Sequence, residues 1–443
     1  MRFEDAVQYI EDARKFGSRL GLARMRELMR TLGNPQEALR FVHIAGTNGK
    51  GSVLTYIAAV LRQAGYKTGS YSSPAVADIR DPFQINGRTI SKSQYAECVG
   101  ELRRAVIKMQ EAEEEQPTSF ELETALAFCY FKKNNCDIAV LETGLGGAQD
   151  ATNIVMTTVL SVITSISMDH CAALGSSLEA IAEQKAGIIK PHVPVVMMEN
   201  SRSVTSVIRE KCGELDAELH IAEAEKLHGV TYGFPVQRFS YYQFADVQIA
   251  LGGTHQVMNA ALAIEAFWCL RNVGLRIPAV CVRAGMRNAR WPFRMEQVLK
   301  EPQFIVDGAH NPDAAARLAE SLRIYFSDRP LIFIMGIFKD KDYEEICKIT
   351  ADMATYIVTV QTPDLERALS AVALRDTVRR YNPDAESAES ISEAVRMSLA
   401  RAESLKEQHP VIVAFGSLSY LSALVALLKL ESRSDSRDGQ NEN

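Results

Sequence analysis

Apolar residues follow two alternating spacings along the first half of the chain. Short β-type runs are separated by longer stretches with helical periodicity, and they lie at 41–45, 137–142, 158–163 and 193–197. Strands that alternate with helices predict a parallel sheet with helices on both faces. Ligands bind at the carboxyl ends of the strands in such sheets, so we expect Gly46, Glu142 and the segment after Ile163 to share a site.

A second series of strands begins near residue 303 and predicts a smaller α/β domain, with a boundary near 290–302. Its strand-like runs lie at 304–307, 331–335, 356–360 and 411–415. The segment after Glu431 is polar, and we predict that it is a disordered tail.

Composition narrows the class of protein. A chain of 443 residues is long enough for two or three domains, and its net charge of −6 argues against nucleic acid as a partner. The eight cysteines are scattered without a C-x-x-C pair, which is typical of thiols in a reducing compartment. No apolar run is long enough to cross a membrane, and the N-terminus does not resemble a signal peptide. We therefore expect a cytoplasmic protein that binds neither membranes nor nucleic acid.

The turn between the first strand and the following helix carries the clearest chemical signal. It reads Gly46-Thr-Asn-Gly-Lys-Gly-Ser52. Glycines let backbone N–H groups approach phosphates, and a helix N-terminus adds positive potential. Lys50 would reach the terminal phosphates and Ser52 a magnesium ion, although the spacing departs from the usual G-x-x-x-x-G-K-[ST] pattern.

Three further side chains in this domain each allow two interpretations. Glu142 ends a strand and is either a magnesium ligand or a cap for the following turn. His170 is either a third metal ligand or a structural histidine. Lys185 lies late in a helix, and the residues alone favour a solvated lysine that complements the helix C-terminus.

The second domain repeats the arrangement of a strand followed by a polar turn. Asp307 and His310 could hold a ribose, a base or a substrate ammonium, or they could simply stabilise an Asx-type turn. Arg294, at the domain boundary, could clamp phosphates.

Taken together, these motifs resemble the folylpolyglutamate synthase and dihydrofolate synthase family, which is related to the bacterial cell-wall Mur ligases. The resemblance is carried by residues 43–52, 72–74, 119–121, 142–147, 150–153, 169–170, 182–191, 253–256, 259–260, 291–294, 307–311 and 416–418.

The resemblance implies a P-loop NTPase-like parallel-sheet domain followed by a smaller Rossmann-like α/β domain, with ATP between them. The implied bounds are 1–295 for the P-loop ATPase domain, which corresponds to the central domain of Mur ligases, 296–430 for the glutamate-ligase domain and 431–443 for the disordered tail.

It also implies roles for individual residues. The ATP site would comprise Thr47, Asn48, Gly49, Lys50, Gly51, Ser52, Asn259, Arg294 and Asp307. The magnesium ligands would be Ser73, Glu142, His170 and Lys185, the last as a carbamate, which reverses the interpretation of Lys185 from the residues alone. The catalytic group would be Lys50, Lys185, Asp307 and His310. The other substrate would contact Phe120, Glu121, Gln149, Asp150, Ala151 and Ser417.

The implied reaction is ATP-dependent addition of L-glutamate to a folate, and also to dihydropteroate, through an acyl phosphate. Two magnesium ions would assist, and we expect a monomer. The alternatives are a Mur-type ligase acting on a cell-wall nucleotide precursor and a nucleotide-binding protein that has lost catalysis. Ala148 and Gln149, and likewise Ala75 and Val76, depart from the residues usual in the family near the expected substrate or metal region.

Overall fold

The chain folds into two compact units in a computed structural model that describes residues 1–17, 19–75 and 78–438. Val76, one of the departures from the family pattern, lies outside these residues. The first unit comprises Met1–Val230, Arg238–Ala250 and Gln256–Arg290, and the rest of the described chain belongs to the second. The domain bounds 1–295, 296–430 and 431–443 remain predictions.

A mixed sheet forms the centre of the first unit. In the described part of the chain its order is β4-β3-β2-β5-β1-β6-β7-β8, and only the edge pairs β2–β3 and β3–β4 are antiparallel. The strands are β1 (Phe41–Ala45), β2 (Thr68–Tyr71), β3 (Phe83–Ile85), β4 (Arg88–Thr89), β5 (Ile138–Glu142), β6 (Thr158–Ile163), β7 (Val195–Met198) and β8 (Leu219–Ala222).

Helices cover this sheet because its central strands are apolar on both faces. The helices are α1 (Phe3–Asp12), α2 (Ala23–Thr31), α3 (Lys50–Gln63), α4 (Lys92–Glu111), α5 (Ser119–Lys133), α6 (Cys171–Leu174), α7 (Leu178–Ala186), α8 (Arg202–Glu214), α9 (Gln256–Asn272) and α10 (Ala279–Asn288). Helices α1, α2, α4 and α5 share an apolar cluster with Phe41, while α7 and α8 share another with Ala45. Helices α3 and α9 contact several of the sheet strands. Strand β1, buried along its whole length, therefore ends in a fixed position.

A small sheet follows the first one along the chain. It has the order β11-β10-β9 and is formed by β9 (Leu227–Thr231), β10 (Gln237–Tyr241) and β11 (Phe244–Ile249).

The second unit contains a sheet of order β12-β13-β17-β14-β15-β16, in which β12 is antiparallel to β13 and the other described pairs are parallel. The strands are β12 (Glu296–Leu299), β13 (Gln303–Val306), β14 (Leu331–Met335), β15 (Tyr356–Thr359), β16 (Ala385–Ser387) and β17 (Val411–Phe415). The helices are α11 (Pro312–Tyr325), α12 (Tyr343–Thr350), α13 (Ala371–Val378), α14 (Ile391–Ser404) and α15 (Leu418–Asp438).

The architecture confirms the predicted fold class, and the differences are local. Residues 69–71 belong to β2, a strand that the apolar pattern did not predict, and Gly69 allows close packing there, since a methyl group would lie 2.9 Å from the Phe131 ring. Helix α15 extends into the predicted tail as far as Asp438, and Gly439 is the first glycine after Leu418. Residues 439–443 lie outside the described part.

No helix in the described ranges is both long enough and apolar enough to span a membrane.

Tyr420 connects α15 to the second sheet and provides a stability test. Its buried hydroxyl donates to Ile334 O at 2.9 Å or Phe415 O at 2.7 Å. We expect Tyr420→Phe to lower the free energy of unfolding by about 1–2 kcal/mol, because buried carbonyl groups lose their hydrogen-bond donor. Urea unfolding measures this change. Tyr381→Phe, at a partly exposed position, is the control, and an equal effect in both variants would contradict the account.

Candidate active site

The phosphate-loop candidate lies where β1 ends and α3 begins. Gly49 has φ 88° and directly precedes Lys50, the first residue of α3. A methyl group at Gly49 would lie 2.6 Å from Asn259 Oδ1, and one at Gly46 would overlap Thr164. Both positions therefore require glycine, so the backbone forms a close-fitting concave turn at a helix N-terminus.

The segment after β6 holds this loop in place. Thr47 N donates to Ser165 O at 2.7 Å, and Thr164 Oγ1 donates to Asn48 O at 2.7 Å. On the other side Asn259 Nδ2 donates to Gln256 Oε1 at 3.1 Å, and Gln256 Nε2 donates to Ser52 Oγ at 3.1 Å. The segment after β6 and helix α9 thus both hold the loop.

Lys50 and Glu142 meet beside the loop. Strands β1 and β5 are parallel, and their register places Glu142 opposite Ile44. Lys50 Nζ donates to Thr47 O at 3.1 Å and lies 3.8 Å from Glu142 Oε1. The predicted phosphate-binding lysine and the predicted metal-binding carboxylate are therefore neighbours.

Lys185 is buried against the same loop. It is 3% exposed, and its Nζ donates to Gly46 O at 2.7 Å. Burial, assisted by the charge of Lys50, lowers the pKa of the Lys185 amine to about 7, against the opposing effect of Asp169 and Asp150. The expectation from the residues alone, a solvated lysine at a helix end, is wrong because this side chain points into the protein.

A cavity of about 460 Å³ in the first unit brings together another set of predicted residues. Its lining includes Ser73, Phe120, Glu121, Gln149, Asp150 and Ala151, which are a predicted metal ligand and the predicted substrate residues of this unit. This volume lies within the usual range for small-molecule sites.

The start of α5 forms one wall of the cavity. Thr118 and Glu121 make a reciprocal capping box, and Glu121 Oε2 also accepts from Arg24 Nε at 3.2 Å. Glu121 is 1% exposed, so it fixes the helix start and with it the position of Phe120.

Asp150 also lines the cavity, and hydrogen bonds hold its carboxylate in place. Its Oδ2 accepts from Leu145 N at 2.8 Å, and its Oδ1 accepts from Thr152 Oγ1 at 2.5 Å. Thr152 Oγ1 also lies 2.8 Å from Nε2 of the fully buried His43, whose pKa is lowered to about 3 by burial. The chain from Glu142 to Asp150 therefore connects the phosphate loop to the cavity.

The departures from the family pattern fall on this connection. Ala148 packs against Gly187, and Gln149 lines the cavity while its carbonyl accepts from Gly21 N at 3.1 Å. A short side chain at position 148 suits the close contact with the end of α7.

His170 lies outside this tightly packed region. It has φ 52° before the short helix α6, and 51% of its side chain is exposed, with Nε2 3.9 Å from Asp169 Oδ1. Histidine, cysteine and acidic side chains form no group of three able to hold a metal within the described residues. The predicted set includes a serine and a modified lysine, and it remains a prediction.

The second unit gathers Arg294, Asp307 and His310 at the carboxyl end of β13. Asp307 accepts from Met295 N and Ala309 N, each at 2.9 Å, and burial raises its pKa. A methyl group at Gly308 would lie 2.6 Å from Arg294 Nη1, and His310 Nδ1 lies 2.8 Å from Gly308 O.

The buried Ser417 follows β17, which pairs with β13. Asn259 belongs to the first unit, so the predicted ATP residues come from both units.

Sequence reasoning missed two groups of residues. Thr164, which holds the loop, lies in no recognisable motif, and Gln256 ends the motif at 253–256 but was given no role. Glu123 carried no motif, yet it lines the cavity with Arg14. The spacing of three residues between Phe120 and Glu123 was the available signal.

Two family models match the chain. The Mur ligase middle domain matches residues 44–267, and the Mur ligase glutamate ligase domain matches residues 293–418.

Similar proteins match over almost the full length. A Bacillus subtilis (strain 168) protein named dihydrofolate synthase/folylpolyglutamate synthase is 35% identical over 439 residues, covering 96% of this chain and 99% of the relative. The structure of a Mycobacterium tuberculosis folylpolyglutamate synthase complexed with ADP and AMPPCP is similar, with a TM-score of 0.87 at 28% identity. The match covers 96% of this chain and 99% of that one. The structure of FolC from E. coli in complex with DHPP and ADP has a TM-score of 0.83 at 26% identity. The match covers 96% of this chain and 98% of that one.

The buried Lys185 amine predicts a pH-dependent stability effect. Its pKa of about 7 lies below that of an unfolded lysine, so between about pH 7 and 10 the unfolded chain binds more protons and wild-type stability rises with pH. Methionine lacks this ionisation. We expect Lys185→Met to gain stability relative to wild type below pH 7, and this advantage to shrink towards pH 10.

Denaturant unfolding in CO₂-free buffer at several pH values measures the difference. Lys300→Met, at an exposed position, should show no such trend. A difference between Lys185→Met and wild type that does not vary with pH would contradict a buried, titrating amine.

Proposed function

The chain belongs to the folylpolyglutamate synthase and dihydrofolate synthase family of the Mur ligases, and on that basis we propose that it is an ATP-dependent ligase that joins L-glutamate to a folate. We also propose that it converts dihydropteroate to dihydrofolate. The close relatives named for these activities favour neither a cell-wall ligase nor an inactive nucleotide-binding protein.

One observation carries the proposal. The segment that begins at Glu142, beside Lys50, ends at Asp150 in the cavity wall, and Asp150 is tied back to Leu145 by its carboxylate. A substrate held in the cavity would therefore have a short path to the phosphate loop. A nucleotide loop alone would not require this connection.

In the first step a carboxylate oxygen of the pterin substrate forms a bond to the γ-phosphorus of ATP. The bond between that phosphorus and the oxygen bridging it to the β-phosphate breaks, which leaves ADP and an acyl phosphate. Lys50 and the N–H groups at the start of α3 stabilise the negative charge of the transferring group. The positions of Gly46 and Gly49 keep those groups aimed at the phosphates without reorganisation.

Magnesium would be held by Glu142, Ser73, His170 and the carbamate of Lys185. The Ser73 hydroxyl and the Glu142 carboxylate are oxygen donors, which a hard cation such as magnesium prefers. Glu142, buried beside the loop, is the donor that the geometry supports best. When bound, the magnesium ions would neutralise part of the negative charge of the phosphates.

The environment of Lys185 supports the carbamate. Only a neutral amine can attack CO₂, and a pKa of about 7 leaves a large neutral fraction at physiological pH. The amine nitrogen bonds to the carbon of CO₂ and gives up a proton to solvent, so that an anion forms beside Lys50. The buried side chain would then attract metal instead of repelling it.

In the second step the amine of L-glutamate attacks the acyl carbon and phosphate leaves, so that an amide forms. We propose that His310, Asp307 and Ser417 bind the incoming glutamate, while Arg294, Asp307 and Asn259 complete the ATP site. Asp307 is held by two backbone N–H groups, which suits a fixed acceptor for an ammonium or a ribose hydroxyl.

We further propose a monomer in the cytoplasm. The described cysteines are free, and most are buried, which supports a reducing compartment.

The most informative test compares dihydropteroate and tetrahydrofolate monoglutamate as acceptors. We expect glutamate-dependent ADP release with both, and products heavier by one or more glutamyl residues in mass spectra. ADP release with a muramyl nucleotide but with neither pterin acceptor would contradict the proposal. A failure of every one of these acceptors to support ADP release would contradict it as well.

Lys185→Ala tests the carbamate. We expect a loss of activity of at least 100-fold, with partial recovery when a short carboxylic acid such as acetate supplies the missing anion. Lys300→Ala is the surface control. Full activity of Lys185→Ala without any added acid would remove the carbamate from the mechanism.

A further inference from the structure

Lys190 is a buried lysine that the mechanism above does not use. It follows the end of α7 and is 7% exposed. Its amine donates to Asn153 Oδ1 at 2.7 Å and to the Asn153 carbonyl at 3.4 Å. No carboxylate in the described part of the chain lies within ion-pair distance of it, and burial alone lowers the pKa of the amine to about 8. Because burying a cation without a counter-ion costs free energy, the bond to Asn153 is the feature that gives this lysine a role.

Asn153 connects Lys190 to the end of α7. Its Nδ2 donates to Gly187 O at 3.0 Å and to Ala148 O at 3.1 Å. The side chain is 7% exposed, so both amide hydrogens and the amide oxygen are satisfied inside the protein. An ammonium group has donors only, and it therefore holds the amide with its oxygen towards Lys190 and its nitrogen towards the two carbonyl groups. Lys190 thus fixes the orientation of Asn153.

The groups that Asn153 holds lie next to Lys185. The last carbonyl groups of a helix have no partner within the helix, so other segments must supply their donors. At the end of α7 one donor is Ala148 N, which lies 2.7 Å from Gln184 O, and another is the Asn153 amide. A methyl group at Gly147 would lie 3.0 Å from Lys185 Cα. The backbone of Lys185 is therefore packed on a segment whose position depends on Asn153.

We propose that Lys190 is a positioning residue for Lys185: by orienting Asn153 it fixes the end of α7, and so holds the Lys185 amine where its carbamate forms. This inference rests on the proposed function, which gives Lys185 its carbamate. It assigns a role to a second lysine of the segment 182–191, one that does not itself contact the phosphate loop.

The physical basis is preorganisation. The Lys185 amine donates to Gly46 O at 2.7 Å in a buried position, and its carbamate must fit the same confined space beside Lys50. When the helix end is already fixed, carbamate formation orders fewer groups, and less of the binding free energy of CO₂ is lost. Without Lys190 the Asn153 amide is free to turn, and the end of α7 is held less firmly. The carbamate then forms only at a higher CO₂ concentration.

The test measures the carbamate directly. Full-length protein with magnesium and ADP is equilibrated with ¹³CO₂ at several concentrations and examined by ¹³C NMR, and Lys185→Met identifies the carbamate resonance by its absence. In Lys190→Met we expect the CO₂ concentration that half-fills the carbamate to rise roughly 10- to 100-fold, because a charged hydrogen bond is lost. Lys300→Met, at an exposed position, is the control and should match wild type.

A second variant covers the case in which Lys190→Met does not fold. Asn153→Asp keeps the size of the side chain and the acceptor for Lys190, but it loses both donors to the carbonyl groups. We expect the same weakening of carbamate formation. Glutamate-dependent ADP release by either variant should recover when the CO₂ concentration is raised, which a general loss of structure would not allow.

The outcomes separate this inference from the proposed function. Wild-type carbamate occupancy in a folded Lys190→Met or Asn153→Asp variant would overturn the inference and leave the proposed function intact. ADP release by wild type without any carbamate resonance would overturn the inference and remove the carbamate from the mechanism. The expected carbamate response without ADP release from any acceptor would contradict the proposed function while supporting the role of Lys190.

Discussion

Two amines and one carboxylate are brought together where the central strand of the first sheet ends, and the proposed chemistry depends on their charge balance. Lys50 lies 3.8 Å from Glu142, and Lys185 is bonded to the carbonyl of Gly46 on the same loop. A buried ammonium on Lys185 is unfavourable, and burial first and the charge of Lys50 second lower the pKa of this amine. A carbamate on Lys185 reverses the balance, so that the site becomes suited to cations and to the phosphates they accompany.

The rest of the first unit supports this centre. The segment after β6 and helix α9 fix the loop, and the backbone at Gly147 packs closely on the carbonyls of Gln184 and Lys185. The segment that leads from Glu142 to the cavity is thus packed against the helix that carries Lys185. Ala148 and Gln149 lie on this segment, so changes at these positions would alter the packing between the cavity and the end of α7.

The sequence was sufficient for the main elements and insufficient for several side chains. Strands β6, β14 and β17 have the predicted bounds because they are uninterrupted apolar runs between clear turns. Strand β2 was missed because Gly69 and Ser70 resemble a turn when the packing against Phe131 is not known. Lys185 could not be recognised as buried from helical position alone; only the family resemblance indicated its role. Glu123 was overlooked because its cavity is formed by segments distant in the chain.

The central claim is that the site activates a carboxylate by phosphorylation, and the transfer of oxygen tests it most directly. A pterin acceptor labelled with ¹⁸O in the reacting carboxylate should transfer one labelled oxygen to each phosphate released during glutamate addition. Mass analysis of the phosphate measures this transfer. Product formation with unlabelled phosphate would show that the carboxylate never bonds to the γ-phosphorus, and the account of the site would then be wrong.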